Sequence, residues 1–368
     1  MPQRNRRVLP AVALLLGAII AAGVAVVRYN PPAANTPPLV GNPPATIAEP
    51  LPATGTLPPL LTATLPVRAT LPPAARNPLA GATWYVDPAA GARRQADSLR
   101  ARDPQQAALL DRIAGQPAAD WFGDWNADIQ TAVDTRVTTI QAAGAVPVLV
   151  AYNIPNRDCG QYSAGGAAAP AAYRAWMRAF AAGLAGRRAV VIVEPDALPL
   201  MDQCLSATDQ TARMALIGAA VGLLKAQPGA AVYIDAGNSN WQPAATMATR
   251  LSQAGIAQAD GFALNVSNYR ATAELIAYAR DLAARLGGKH AVLDTSRNGR
   301  GPADNNAWCN PPGRGLGTPP TTATADPVID AYLWIKRPGE SDGTCNGGPA
   351  AGGWWIAGAL ELARNAAP

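Results

Sequence analysis

Residues 79 to 368 are expected to form an α/β domain, a parallel β/α barrel of about seven strands. Three observations point there. Apolar, strand-like runs alternate with longer alanine-rich segments of helical character, which argues for parallel strands joined by right-handed crossovers. One run, VVIVEPD over residues 190–196, opens so apolar that it must be buried on both faces, as in a sheet covered by helices. Polar residues recur where the runs end, and parallel strands bring such ends to one face, the face that carries catalysis in α/β barrels.

The expected elements run in order along the chain. ATWYVD from residue 82 is the first strand expected, and residues 93–114 the first helix. A helix over 128–144 leads into VPVLVAYN from 146, which closes on Tyr152 and Asn153. The helix over 171–186 precedes AVVIVEPD from 189, which ends in Glu194 and Asp196. Residues 207–226 lead to AVYIDAG from 231, with Asp235 at its end, and residues 243–255 lead to GFALNV from 261, with Asn265 and Ser267. Residues 271–287 precede HAVLDT from 290, with Asp294 and Ser296; AYLWIK from 331 then ends in Lys336, before a last helix over 353–366. Seven or eight such units favour a closed barrel over an open sheet. No GxGxxG or Walker-type glycine loop comes after any strand, which removes the usual nucleotide-binding reading.

Residues 1–30 read as a signal-anchor or signal peptide. Arg4, Arg6 and Arg7 precede an uncharged run from Val8 to Val27 that Arg28 closes, long enough for the ~20 apolar residues a bilayer crossing needs. Only Gly23, Val24 and Ala25 loosely fit a cleavage site, so an uncleaved anchor is favoured. Basic residues stay cytoplasmic, so the chain beyond Arg28 is exported in either case. Residues 31–78, dense in Pro, Thr and Ala, read as an extended linker that cannot bury a core. Residues 1–78 also hold six arginines against one acid, Glu49, and so carry the whole formal charge of +5. The domain beyond them is balanced, which removes the main support for nucleic-acid binding.

Four cysteines, Cys159, Cys204, Cys309 and Cys345, lie in the exported part and favour two disulfides, for which sequence alone allows three pairings. With no CxxC and a single histidine, a metal site is not expected, and no cofactor motif is present. His290 opens its strand, at the end of the barrel opposite the polar cluster, and reads as structural. Serine or cysteine nucleophilic catalysis normally needs a histidine beside the nucleophile. What remains is carboxylates with a tyrosine and a lysine, and paired carboxylates are the equipment of glycoside hydrolysis. A carboxyl at the edge of an apolar core has its pKa raised by desolvation, so Glu194 and Asp196 are both candidate general acids. Trp121, Trp125, Trp241 and Trp308 fall in polar, loop-like surroundings where an indole face can stack on a sugar ring.

The segments YNIPNRDCGQYSAGG, VIVEPDALP, YIDAGNSNW, LNVSNY, LDTSRNGRGP, WCNPPGRGLG and LWIKRPGESDG, in that order, closely resemble the blocks of glycoside hydrolase family 6. The resemblance covers essentially all of residues 79–368. It implies a distorted, TIM-like parallel β/α barrel and inverting hydrolysis of β-1,4-glucan, as in the family's endoglucanases and cellobiohydrolases. It implies Asp196 as general acid, Asp158 as its modulator, Tyr152 pressing on the sugar at the cleavage point, and Asp342 as candidate base, acting directly or through a water chain. Asp235, Asn238, Trp121, Trp241, Asn265, Trp308, Lys336 and Glu340 are the substrate-binding candidates, and Glu194 becomes a structural or orienting group. The family's disulfides correspond to Cys159 with Cys204 and Cys309 with Cys345. An inverting pair stands ~6.5 to 9.5 Å apart, so Asp196 and Asp342 are expected to flank a groove at that distance or more, with Asp158 nearer Asp196.

This sequence departs from the family pattern at Asn156, where glycine is common, and at Asn238, where histidine is common; Ser163 matches the loop serine only approximately. The short segment from Cys159 to Pro170 favours an open cleft and internal cutting. The alternatives are exo action of the cellobiohydrolase type and a surface-anchored carbohydrate-binding protein without turnover. The expected partners are a β-1,4-glucan and the membrane, with the chain a monomer.

Overall fold

The computed structural model describes residues 77–366. The proposed anchor over 1–30 lies outside the described residues, as does nearly all of the linker over 31–78. Among the described residues no helix is long and apolar enough to cross a membrane.

Seven parallel strands form one sheet in simple sequential order: β1 (Asp120–Phe122), β2 (Val148–Ala151), β3 (Ala189–Val193), β4 (Ala230–Asp235), β5 (Gly261–Leu264), β6 (His290–Asp294) and β7 (Ile329–Leu333). Two helices precede β1, α1 (Gly91–Leu99) and α2 (Pro104–Ala114). The crossovers are α3 (Ile129–Ala142), α4 (Pro170–Leu184), α5 (Ala207–Lys225), α6 (Ala244–Gln253) and α7 (Thr272–Arg285), and α8 (Ile356–Arg364) comes after β7. The result is the distorted parallel β/α barrel expected.

Strand residues alternate between two buried layers, as a period of two requires. Val150, Val190, Ile192, Tyr233, Val292 and Leu333 fill the barrel interior. Leu149, Val191, Val193, Ile234, Phe262 and Leu293 face the helices instead. Both faces are thus apolar, which explains why these strands read as nearly unbroken apolar runs.

β1 and β7 share no ladder, and polar contacts bridge the seam. The Ala119 N–H donates to the Trp334 carbonyl at 2.9 Å, the Trp121 indole N–H to the Ile335 carbonyl at 2.8 Å, and Arg337 pairs with Asp120 at 2.7 Å. Trp121 is therefore a strand residue and not a loop one.

Two element expectations change. ATWYVD is not a strand: Trp84 makes a single bridge to Val146, and the first strand is the three-residue DWF, too short to show any periodicity. The helix expected over 93–114 is two helices, because Asp103 caps the second by accepting from the Gln106 N–H at 2.9 Å and Pro104 occupies its first turn. His290 sits at the start of β6, with Nδ1 2.8 Å from Asp330, whose other oxygen accepts from Tyr233 at 2.7 Å. This places it in a buried network at the far end of the barrel, as expected of a structural residue.

Candidate active site

At the C-terminal ends of the strands lies a cleft of about 660 Å³, in the range of small-molecule sites. Trp121, Tyr152, Asp158, Asp196, Asn238, Trp241, Trp308, Lys336, Glu340 and Asp342 all line it, joined by Trp125. Trp121 comes from β1 itself and the others from the loops after β1, β2, β3, β4, β6 and β7, so only the parallel arrangement unites them. Asp235 and Asn265, expected to touch sugar, instead lie beneath the cleft floor, 1% and 0% exposed. Their hydrogen bonds are internal: Asp235 accepts from the Asp196 N–H, and the Asn265 amide donates to the Asp294 carbonyl.

Backbone strain concentrates where the strands end. Asn156, Asp158, Glu194, Asp196, Asn265 and Ser267 all adopt left-handed φ, between 50° and 69°. Such a conformation costs a non-glycine residue of order 1 kcal/mol or more and persists only where the surroundings over-determine it. Asn156, where the family commonly has glycine, has φ 53°, a conformation that asparagine tolerates.

Asp196 is half-buried at the cleft floor. Burial holds its carboxyl well above the usual carboxylate range, and the charges of Asp235, Asp158 and Asp342, in that order, push it further; Lys336 opposes them. Asp235 is itself pushed up to about 7 by burial, against hydrogen bonds from the backbone of Asp196 and Gly237. Its Oδ2 is buried and meets no donor among the described residues, a situation that favours the protonated form. Burial also raises Asp158, opposed by the Ser163 N–H, which donates to it at 2.7 Å, and by Arg157. Ser163 thus faces the site through its backbone.

Glu194 is turned away from the cleft. It accepts from the Asn153 and Ile154 N–H groups at 3.0 Å, fixing the chain just after Tyr152. Burial pushes its carboxyl from 4.5 up to about 7, so folding favours the neutral acid. The stability this contributes is complete below pH 4.5 and is lost as the pH rises through about 7. Glu194→Gln is therefore expected to flatten the decline of Tm between pH 4.5 and 7. An unchanged slope in calorimetry would mean that the group does not titrate in that window.

Asp342 is 7% exposed and meets a set of donors that its sequence neighbourhood does not announce. Arg297 reaches both its oxygens at 2.9 Å, Tyr269 donates at 3.0 Å and the Asn310 N–H at 3.0 Å, while Lys336 Nζ stands 3.8 Å away. Arg297 lies within the block LDTSRNGRGP, three residues past Asp294, and an arginine so near an apolar strand end must find an acid. Its partner, 45 positions away, is set by topology alone.

Disulfides join Cys159 to Cys204 and Cys309 to Cys345, the pairing implied by the family resemblance. The first ties the loop after β2 to the loop after β3, and the second holds the segment beside Asp342. Tyr162 and Trp308, from these two tied regions, meet edge to face with centroids 5.9 Å apart at the cleft margin. Trp121 meets Tyr152 edge-on with centroids 5.2 Å apart.

Comparison with known proteins agrees with this geometry. A family model described as "Glycosyl hydrolases family 6" matches residues 79–366. The chain is 49% identical over 291 residues to Endoglucanase A of Thermobispora bispora, covering 77% of this chain and 62% of that protein. It is 47% identical over 272 residues to Endoglucanase 1 of Streptomyces halstedii, covering 72% and 83%. The chain thus spans just over three fifths of the length of the first of these relatives. Among solved structures, the endoglucanase Cel6 of Mycobacterium tuberculosis in complex with methyl-cellobiosyl-4-deoxy-4-thio-β-D-cellobioside is similar at a TM-score of 0.75 and 48% identity, over 78% of this chain and 99% of that one.

Proposed function

The chain belongs to glycosyl hydrolases family 6, and on that footing we propose that it hydrolyses internal β-1,4-glucosidic bonds of cellulose or a related β-glucan with inversion at the anomeric carbon. The observation that carries this reading is a carboxyl, Asp196, whose proton affinity burial and neighbouring carboxylates raise, in a cleft lined by Trp121, Trp241 and Trp308. Asp196 gives its proton to the glycosidic oxygen as the bond to the anomeric carbon breaks. Water attacks that carbon from the opposite face and loses its proton towards Asp342. Arg297, Tyr269 and the Asn310 N–H all donate to Asp342 Oδ2, whereas Oδ1 accepts from Arg297 alone, so Oδ1 is the atom left to take the proton, directly or through an intervening water.

Asp158 restores the proton balance around Asp196, and Tyr152, held between Trp121 and Arg157, presses on the ring at the cleavage point. Lys336, Glu340 and Asn238 offer hydrogen-bonding groups to sugar hydroxyls at the cleft wall. Asp235 acts from beneath, by setting the proton affinity of Asp196. The arginine-flanked apolar run over 1–30 and the proline-rich linker support a catalytic domain held outside the cytoplasmic membrane, or released from it by cleavage.

Proton NMR of the first product tests the chemistry, with the α-anomer expected; an initial β-anomer would rule out inversion. Viscosity of soluble carboxymethylcellulose, measured beside release of reducing ends, tests the mode of cutting. Internal cutting drops viscosity early, whereas exo action releases ends with little loss of viscosity. Binding of β-glucan with no release of ends would leave the carbohydrate-binding alternative.

A further inference from the structure

Trp125 lies just past β1 and is 54% exposed, although it lines the cleft. It belongs to none of the three buried apolar clusters, whereas Trp121 packs against the barrel interior. What sets this exposed ring apart is its place in the lining of the cleft.

The ring is nonetheless held firmly. A Cβ at Gly123 would collide with the Cζ3, Cη2 and Cε3 atoms of its six-membered ring, so glycine there leaves room for it. The Arg157 guanidinium lies over it, 5.3 Å from its centroid, and also 4.7 Å from the Tyr152 ring. Arg157 is itself buried and locked: it donates to the carbonyls of Tyr152 and Ser163 at 2.8 Å and pairs with Asp124 at 3.0 Å. Trp121, Tyr152, Arg157 and Trp125 thus form a chain of successive contacts in the lining of one cleft.

We propose that Trp125 is an additional glucosyl-binding platform, an outer subsite that takes one pyranose ring of a longer β-1,4-glucan. A rigid, exposed indole offers a flat apolar face to the axial C–H groups of such a ring without ordering cost on the protein side. Trp121 and Trp125 line the same cleft four positions apart in the chain, so the occupant is the substrate chain itself. The inference rests on the glucanase reading and extends it to chain length.

The test is a length series from cellotriose to cellohexaose on the full chain. Trp125→Ala is expected to lower kcat/KM about 3- to 10-fold on the oligosaccharides long enough to reach the rim and to leave cellotriose unchanged. The loss is expected in KM rather than kcat, since an outer contact binds ground and transition states alike. Trp125→Phe, which keeps a ring face, is expected to recover most of the loss. An equal defect at every length would reassign the residue to packing on Arg157, and no defect at any length would remove the subsite. Calorimetric binding of cellohexaose separates this from failure of the glucanase reading. If wild-type protein hydrolyses nothing, weaker cellohexaose binding by Trp125→Ala still supports the platform, and equal binding overturns it.

Discussion

Asp196→Asn is expected to lower kcat on barley β-glucan by roughly 10²- to 10⁴-fold, the usual worth of a positioned general acid. Asparagine is the sharper replacement than alanine because Asp196 sits at φ 69°, a conformation asparagine tolerates. It keeps the shape of the side chain and the backbone N–H that Asp235 accepts, and removes only the transferable proton. The defect should therefore depend on the leaving group. A cellobioside of a strongly acidic phenol departs without protonation, so on it the variant should recover at least roughly tenfold of the lost rate. Equal defects on both substrates would mean that Asp196 serves binding or position and not proton transfer.

Arg297→Met is the change expected to cost most in stability. Arg297 and Asp342 are 2% and 7% exposed and 2.9 Å apart, and removing one partner of such a pair costs about 3 to 5 kcal/mol by stranding the other charge. For a domain of this size that is a fall in Tm of about 6 to 20 °C. Replacing both partners by apolar side chains, Arg297→Met with Asp342→Leu, should recover much of it, because no unpaired charge remains. Lys336, 3.8 Å from Asp342, bounds the loss by compensating in part. A calorimetric change below about 1 kcal/mol for Arg297→Met would show that Lys336 replaces it fully.

The strand ends were legible because burial on both faces leaves a plain signature. VVIVEPD must lie inside a covered sheet, and its charged end must then lie at an exit from that sheet. The same logic found the ends of β2, β4, β5 and β6. It failed for β1, where the β-like ATWYVD makes one bridge and the three residues DWF carry the ladder. A strand that short has no period to read, and its pairing is decided by what lies beside it. Asp235 was legible as an important carboxylate but not as one beneath the floor, since depth along the barrel axis leaves no mark on a chain read one residue at a time.

The sequence by itself determined the class of fold and the strand ends at which the candidate carboxylates collect. Those rest on local facts: apolar runs that need burial, polar groups where the runs stop, and the lack of a histidine beside any nucleophile. Only the tertiary structure decided the partners. It seated Asp342 among Arg297, Tyr269 and Asn310, placed Asp235 under Asp196, and laid Arg157 between Tyr152 and Trp125. The reason is physical: the energy of a charge or an indole depends on which groups surround it, and strands far apart in the chain supply those groups when the barrel curls.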